Sequence, residues 1–556
     1  MERKWWMEAI GYQIYPKSFN DTNGDGIGDI KGVTEKLDYL NNLGINMVWL
    51  CPFYKSPMDD NGYDVSDYYD VDPMFGNLDE LKELISEAHK RGIKIVADLV
   101  LNHTSDEHEW FVEARKSKDN KYRDYYIWAD GRIDEKGNEI EPTNWASFFG
   151  GSCWKKDEQT GQYFMKIFSN KMPDLNWKNE ALRKEMYKMA NWWLDLGIDG
   201  FRVDAVAHLS KSEFVDSEMK ANPYACDWGK FSNLPKAHDY LQEFYKEVLK
   251  DRDVMTVGEV GGGATCMDAL KYSGYDQNEF NMVFNFDHNW SHNEDGTTNV
   301  KNLKEIFNKW QTGTFGKGWN PLYWLNHDHP RVLSHYGNTG EYRNESAKML
   351  ATALYFMWGT PFIYNGEEIG MTNYPFETLE DFNDVAIKNQ YEYAKKEGLS
   401  EREYVKKVKN GSRDNARTPM QWSNKLNAGF TDGEPWFHVN PNYKTVNVES
   451  QLKDPNSILN YYKQVTHLRR HGDYKNIIVY GSYRLIDRKN KFVYSYIREY
   501  NKKKLLVITN FTDKLVKVSY KYQMVKKVLS NYNNAKIEDL RNHILRPYEA
   551  LVLEIK

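Results

Sequence analysis

The chain has 556 residues, with 74 Lys and Arg against 80 Asp and Glu, a formal charge of -6, and 40% hydrophobic side chains. This length predicts two or three domains with ample core, and the balanced charge calls for neither nucleic acid nor an anionic membrane as partner. No run reaches the roughly 18–20 apolar residues of a membrane span, the N-terminus does not read as a signal peptide, and Cys51, Cys153, Cys226 and Cys266 are scattered without CxxC spacing; a cytoplasmic protein with reduced thiols is expected.

In chain order, the first apolar run is GYQIYP (11–16), followed by the loop DTNGDGIGD (21–29). That loop sets Asp21, Asn23, Asp25 and Asp29 at positions 1, 3, 5 and 9, as a calcium loop does, but Gly32 stands where an EF-hand has its final acid. The alternative is a plain Asx-turn loop. Its glycines mimic part of a dinucleotide fingerprint, yet the spacing fails and the acids would repel a pyrophosphate. INMVWLCP (45–52) comes next, then LDELKELISEAHKRG (78–92), whose Leu78, Leu81, Leu84, Ile85 and Ala88 share one helical face behind an Asn77–Glu80 capping box.

IKIVADLVLNH (93–103) precedes a stretch rich in Trp, Gly and Asp, read as a small inserted domain over 104–172. A helix ending at Gly197 leads to IDGFRVDA (198–205), followed by VMTVGEV (254–260), NMVFNFDH (281–288), PLYWLNHD (321–328) and TPFIYNGEE (360–368). Short apolar runs of this kind are strands buried on both faces, and eight of them alternating with helices predict a (β/α)8 TIM barrel over 1–103 and 173–478. The segment 376–418 is a second insertion, and its charged stretch KKEGLSEREYVKKVK (395–409) reads as a helix with a solvated face. Alternating patterns after about residue 478 predict a C-terminal antiparallel β domain, a sandwich over 479–556.

The stretch GFRVDAVAH (200–208) carries the sharpest chemical signal. Arg202 and Asp204 lie two apart on a strand, so both point to one side. The pair is either a structural ion pair at a strand end or a carboxylate nucleophile held ionised by its arginine. Asp204, Glu259 and Asp328 each close an apolar run, Arg202 and His327 accompany two of them, and His103 and Glu367 end others. The C-terminal rim of a barrel is where its enzymes place their sites. Two carboxyls flanking a glycosidic bond suffice for sugar hydrolysis, one as nucleophile and one as proton donor.

With DLVLNH (98–103), GFRVDAVAH, GEV (258–260) and NHD (326–328) in this order, the chain resembles the α-amylase family of glycoside hydrolases. Within that family it looks like the oligo-1,6-glucosidase and α-glucosidase group, on YQIYPKSFNDTNGDGIGD (12–29), DNGYDVSDY (60–68), YNGEEIGMTN (364–373) and SRDNARTPMQW (412–422). The resemblance implies Asp204 as nucleophile, Glu259 as general acid/base and Asp328 as transition-state stabiliser. It also implies that Tyr63, Asp64, His103, Arg202, His327 and Arg413 hold the terminal glucose, with Asp64 and Arg413 as a charged clamp and Phe149 and Phe168 as apolar walls. A structural Ca2+ is implied at Asp21, Asn23, Asp25, Asp29 and the Ile27 carbonyl. The expected partner is a small oligosaccharide, and the expected state a monomer or weak homo-oligomer.

Ala205 stands where the 1,6-specific members usually carry valine, which predicts that maltose-type bonds are cut at least as well as isomaltose. His329 replaces the glutamine usual after NHD. The same motifs fit trehalose-6-phosphate hydrolases and sucrose isomerases. Non-enzymatic, transporter-associated relatives form a different class, but they carry a membrane span and often lose the acids kept here.

Overall fold

The structure, a computed structural model, describes residues 2–221, 223–261 and 263–556. Eight parallel strands form the central sheet: β1 (Gly11–Ile14), β2 (Met47–Leu50), β3 (Lys94–Val100), β4 (Gly200–Asp204), β5 (Met255–Glu259), β6 (Met282–Phe284), β7 (Pro321–Leu322) and β8 (Thr360–Tyr364). Their order is β6-β5-β4-β3-β2-β1-β8-β7, a TIM barrel hydrogen-bonded all round except between β6 and β7. Each strand falls inside one of the eight apolar runs. The register Phe201↔Ala97 and Arg202↔Val257 sets β4 between β3 and β5, so their C-terminal ends come to one rim.

Helices cover the barrel as the periodicity predicts. Helix α1 (Leu78–Lys90) has its Asn77–Glu80 capping box in place and buries Leu81, Leu84, Ile85 and Ala88. Helix α2 (Glu180–Leu196) buries Leu182, Met186, Met189 and Trp193, and Gly197 ends it at φ 115°, a left-handed value that favours glycine.

The insertion after β3 is a small unit of its own. Three short antiparallel strands (Trp128–Ala129, Tyr163–Met165, Trp154–Lys156) share a core with Trp145, Cys153 and Ile167. Phe231, from beyond β4, enters this core and ties the unit to the barrel.

The second insertion departs from the sequence reading. Instead of one charged helix over 395–409, helices α3 (Val385–Lys396) and α4 (Glu401–Val408) form a hairpin. Gly398 at φ 88° makes the turn, and Ser400 with Glu403 caps the second helix. Ile387, Tyr404 and Val405 pack inward around Phe376 and Phe382, so the solvated face is only half of the story.

At the C-terminus, β9 (Ser482–Ile486), β10 (Val493–Tyr500), β11 (Lys503–Asn510), β12 (Met524–Ser530) and β13 (Ala550–Ile555) form an antiparallel sheet in the order β9-β10-β11-β13-β12. The lysine-rich β12 is a strand that alternation did not reveal. Among the described residues no helix is long and apolar enough to cross a membrane. All four cysteines are free, and only Cys226 is exposed.

Candidate active site

Strands β3, β4 and β5 deliver an acid–base cluster to the barrel rim. Arg202, fully buried on β4, donates from Nη1 to Asp98 Oδ1 at 3.0 Å and to Asp204 Oδ1 at 2.7 Å, and from Nη2 to Glu259 Oε2 at 2.7 Å. Trp49 Nε1 and the Tyr63 hydroxyl hold the other Asp98 oxygen at 3.1 and 2.8 Å. A guanidinium flanked by three carboxylates is fixed in position, and it orients the two that face the cavity.

Burial raises the Asp204 carboxyl well above the usual carboxylate range; Arg202 pulls it down, while the Glu259 charge pushes it further up. Both carboxyls accept from the one Arg202 guanidinium, which brings them side by side at the rim.

The third acid sits in a different field. Burial alone would raise Asp328, but His327, Arg413 and Arg417 hold it well below the usual range. His327 Nε2 lies 3.1 Å from Asp328 Oδ2; burial opposes its charge, yet Asp328 lifts the imidazole to about 10. Asp328 is therefore a fixed anion and His327 a fixed cation. The His327 ring stacks on Tyr63 with centroids 5.0 Å apart and an angle of 8°, making a flat wall against which a sugar ring can lie.

His103 is a neutral donor. Lys211 Nζ donates to Asn102 Oδ1 at 2.9 Å, which leaves the Asn102 amide nitrogen facing His103 Nδ1 at 3.2 Å. That assignment puts the proton on Nε2, a buried atom with no hydrogen-bond partner at the wall of the cavity. Burial keeps the ring uncharged, at about 3. A sugar hydroxyl is a fitting acceptor for this orphaned N–H.

The expected clamp needs one correction. Arg413 Nη2 pairs with Asp60 Oδ1 at 2.7 Å and with Asp384 Oδ1 at 2.7 Å, and Nη1 reaches Asp328 Oδ1 at 3.3 Å; Asp64 is not its partner. Asp64 is fully buried and accepts the backbone N–H groups of Asp59 and Asp60 at 2.8 and 3.0 Å, so it shapes the loop that presents Asp60. Glu367, read as a rim acid, is also outside the cavity wall. It is buried beneath the hydroxyls of Tyr355 and Tyr462, and burial pushes its carboxyl up to about 7.

The remaining expected residues converge. Tyr63, His103, Phe149, Phe168, Asp204, Ala205, Glu259, His327, Asp328 and Arg413 all line one cavity of about 970 Å3, and Arg202 lies directly behind the acids. Phe149 stacks its face on the Arg413 guanidinium at 4.9 Å. Ala205 has φ 50°, a left-handed value, and its N–H donates to Glu259 Oε2 at 3.2 Å. His329 is neutral because burial lowers it to about 4; it is held by Asn326 and Asn289 and stacks on Phe286 at 5.5 Å.

Sequence reasoning missed several contributors. Asp98, Asp60 and Arg417 lie inside the quoted motifs, where one partner was assigned and its neighbour passed over. Asp384 gives no sequence signal; it is the N-cap of α3 and enters only through the second insertion. The walls at Phe286 and Trp290, beyond the end of β6, and at Gln390 on α3 were likewise not picked out as site residues.

The 21–29 loop is a run of Asx turns. Asp21 Oδ1 accepts from the N–H groups of Asn23 and Gly24, Asn23 Oδ1 from Asp25, and Asp25 Oδ1 from Ile27, all at 2.8–2.9 Å. Asp29 caps the following helix through Gly32 N–H at 2.6 Å. Among the described residues no three His, Cys, Asp or Glu side chains gather as a metal cluster. The loop offers instead a mixed set of carboxylate, amide and carbonyl oxygens, the hard donors that suit Ca2+. Asp21, Asp25 and Asp29 have no Lys, Arg or His in ion-pair contact among the described residues.

Residues 13–481 match the family model of the alpha-amylase catalytic domain, and residues 493–552 that of the alpha-amylase SusG C-terminal domain. The chain is 49% identical to an oligo-1,6-glucosidase of Parageobacillus thermoglucosidasius, with 100% of each chain covered. The trehalose-6-phosphate hydrolase of Bacillus licheniformis superposes with a TM-score of 0.91 at 43% identity, covering 100% of both chains. The isomaltulose synthase of Klebsiella sp. LX3 does so with a TM-score of 0.94 at 38% identity, again over 100% of both.

Proposed function

The chain belongs to the alpha-amylase family of glycoside hydrolases, and on that premise we propose that it is an exo-acting, retaining α-glucosidase. It removes the terminal non-reducing glucose from short α-linked oligosaccharides such as maltose, isomaltose and panose. The observation that carries this reading is the Asp60–Arg413–Asp328 junction beside the catalytic acids. Charged groups there can bind the outer hydroxyls of one terminal sugar, so cleavage proceeds from a chain end.

The shared hold of Arg202 on Asp204 and Glu259, 2.7 Å from each, supports retention by keeping the two carboxyls close. Inverting enzymes need roughly 6.5–9.5 Å between carboxyls to admit a water, whereas retaining ones bring them closer. Asp204 attacks the anomeric carbon while Glu259 gives its proton to the departing glycosidic oxygen, forming a glycosyl ester. A water then attacks the same carbon, yields its proton to Glu259 and releases Asp204. Asp328, held anionic, stabilises the positive charge that develops on the ring in both steps. Arg202 keeps the two reacting carboxyls in register.

A phosphorylated disaccharide is less well served. His103, His208 and His329 are kept neutral by burial, at about 3, 4 and 4, and Arg413 is committed to three carboxylates. Among the described residues, Lys407 is the one cation of the cavity lining without an ion-pair partner, and one lysine does not cradle a phosphate dianion.

Initial rates on maltose, isomaltose, panose, sucrose, trehalose and trehalose 6-phosphate test the reading. Turnover of the glucosyl disaccharides with glucose as product is expected, and turnover confined to trehalose 6-phosphate or to sucrose isomerisation would overturn it. Linkage is read at Ala205. Its small side chain leaves room for the differently angled second sugar of an α-1,4 bond, so Ala205→Val is expected to raise the isomaltose-to-maltose rate ratio several-fold. A β-branched residue at a left-handed φ is strained, so the melting temperature is measured alongside; an unchanged ratio in a folded variant refutes the steric account.

The 21–29 loop is proposed to hold a structural Ca2+ through Asp21, Asn23, Asp25, Asp29 and the Ile27 carbonyl, and its three carboxylates without basic partners support this. Chelation is expected to lower the melting temperature by ~2–5 °C, with recovery on adding Ca2+, and Asp21→Ala to abolish that response. A melting temperature indifferent to chelator contradicts the site. Free cysteines in the described structure support a reducing, cytoplasmic setting.

A further inference from the structure

Of 18 tryptophans, one is exposed: Trp290, with 75% of its surface open to solvent. It lines the same cavity as the catalytic acids, and among the described residues it has no ring stack, cation contact or hydrogen bond. A bare indole on the wall of this cavity offers its aromatic face to whatever the cavity binds.

The wall of the cavity runs outward in a definite order. Glu259, with 22% of its side chain exposed, ends β5. Phe286, backed by His329, follows β6, and Trp290 closes the short helical turn Asp287–Trp290 beyond it. Gln390 of α3 and Lys407 of α4 stand at the opening as further polar wall. The site thus passes from a charged floor, through the acids and a stacked Phe286–His329 wall, to a single bare indole.

The volume agrees with more than two sugars. The cavity's 970 Å3 lies at the top of the roughly 300–1,000 Å3 that drug-sized ligands occupy. On the reading above, the first hexose would lie between Tyr63 and Arg413 and the second against Phe286 and His329, all of which line the cavity. We infer that Trp290 is the stacking platform for a third sugar, which makes this site selective for trisaccharides and longer chains over disaccharides. A pyranose presents an apolar C–H face to such a ring while its hydroxyls stay in water, so the platform adds affinity without demanding one linkage. The inference rests on the α-glucosidase reading above and concerns a residue distant from the bond that breaks.

The test compares kcat/KM for a disaccharide and its trisaccharide (maltose with maltotriose, isomaltose with isomaltotriose) in the wild-type enzyme, Trp290→Ala and Trp290→Phe. Wild type is expected to prefer the trisaccharide. Trp290→Ala is expected to lower the trisaccharide-to-disaccharide ratio by about tenfold, expressed in KM more than in kcat, and Trp290→Phe to restore most of it. An equal loss on both substrates, or an unchanged ratio, overturns the platform while leaving the glucosidase reading intact. Wild-type turnover of none of these sugars overturns both. Because the side chain is exposed, the alanine variant should fold, and an unchanged melting temperature verifies that.

Discussion

Asp204→Asn is expected to lower kcat for disaccharide hydrolysis by about four orders of magnitude or more, with the fold retained. The amide is nearly isosteric with the carboxylate but has no nucleophilic oxygen to form the glycosyl ester. Arg202 keeps two of its three acidic partners, Asp98 and Glu259, so the guanidinium is not left buried without a counter-charge. The loss should therefore be chemical rather than structural, visible in kcat and absent from the melting temperature.

The companion variant Glu259→Gln separates the two acids. Removing a general acid costs roughly 10²–10⁴-fold when the leaving group needs a proton. A substrate with a good leaving group, such as a nitrophenyl glucoside, should lose far less in its first step. The opposite pattern, with Asp204→Asn sparing the activated substrate and Glu259→Gln abolishing it, would exchange the two roles. Turnover within a hundred-fold of wild type in Asp204→Asn would remove it from the nucleophile's place altogether.

How far these roles were legible in the sequence depends on the kind of signal each residue leaves. Asp204, Glu259 and Asp328 each close an apolar strand, and a barrel puts all strand ends on one rim, so their convergence follows from topology alone. The clamp does not. Asp60 and Asp64 lie four residues apart in one polar loop, and nothing in a loop's composition says which carboxylate turns outward. The backbone N–H groups of Asp59 and Asp60 consume Asp64 and leave Asp60 for Arg413. Glu367 misleads in the reverse sense: it ends a strand motif, yet Tyr355 and Tyr462 hold it under the protein surface. Asp384 could not be seen at all. Its contribution exists because the α3–α4 hairpin folds back over the barrel, a tertiary event that a charge-rich helical pattern does not encode.

Arg413 is where those separate loops meet, and its removal should produce the second large effect. Arg413→Met keeps much of the apolar stem against Phe149 but strands Asp60 and Asp384, from two different segments, and leaves Asp328 only His327 and Arg417 as cations. Breaking one buried pair costs about 3–5 kcal/mol. Losing the terminal-sugar clamp as well should lower kcat/KM by about three orders of magnitude, or ~4 kcal/mol at 1.36 kcal/mol per tenfold.

The pH dependence gives the sharper check. In the wild type, burial favours the neutral acid, but Arg413 and its neighbours hold Asp384 and Asp328 below the usual carboxylate value. The stability those two groups contribute is present above about pH 4 and is lost as pH falls through their depressed folded values. Burial already raises Asp60 against Arg413; without Arg413 its folded value climbs further, and that of Asp384 rises above the unfolded one. Their contribution is then present at low pH and lost as pH rises. The gap in melting temperature between wild type and Arg413→Met should thus be small near pH 5 and wide near pH 7.5. Adding Asp60→Asn should narrow the gap at the higher pH by removing one stranded charge, and recover none of the activity. A gap that stays constant with pH, or a double variant that regains turnover, would show that Arg413 is neither the counter-charge of this junction nor the clamp on the terminal glucose.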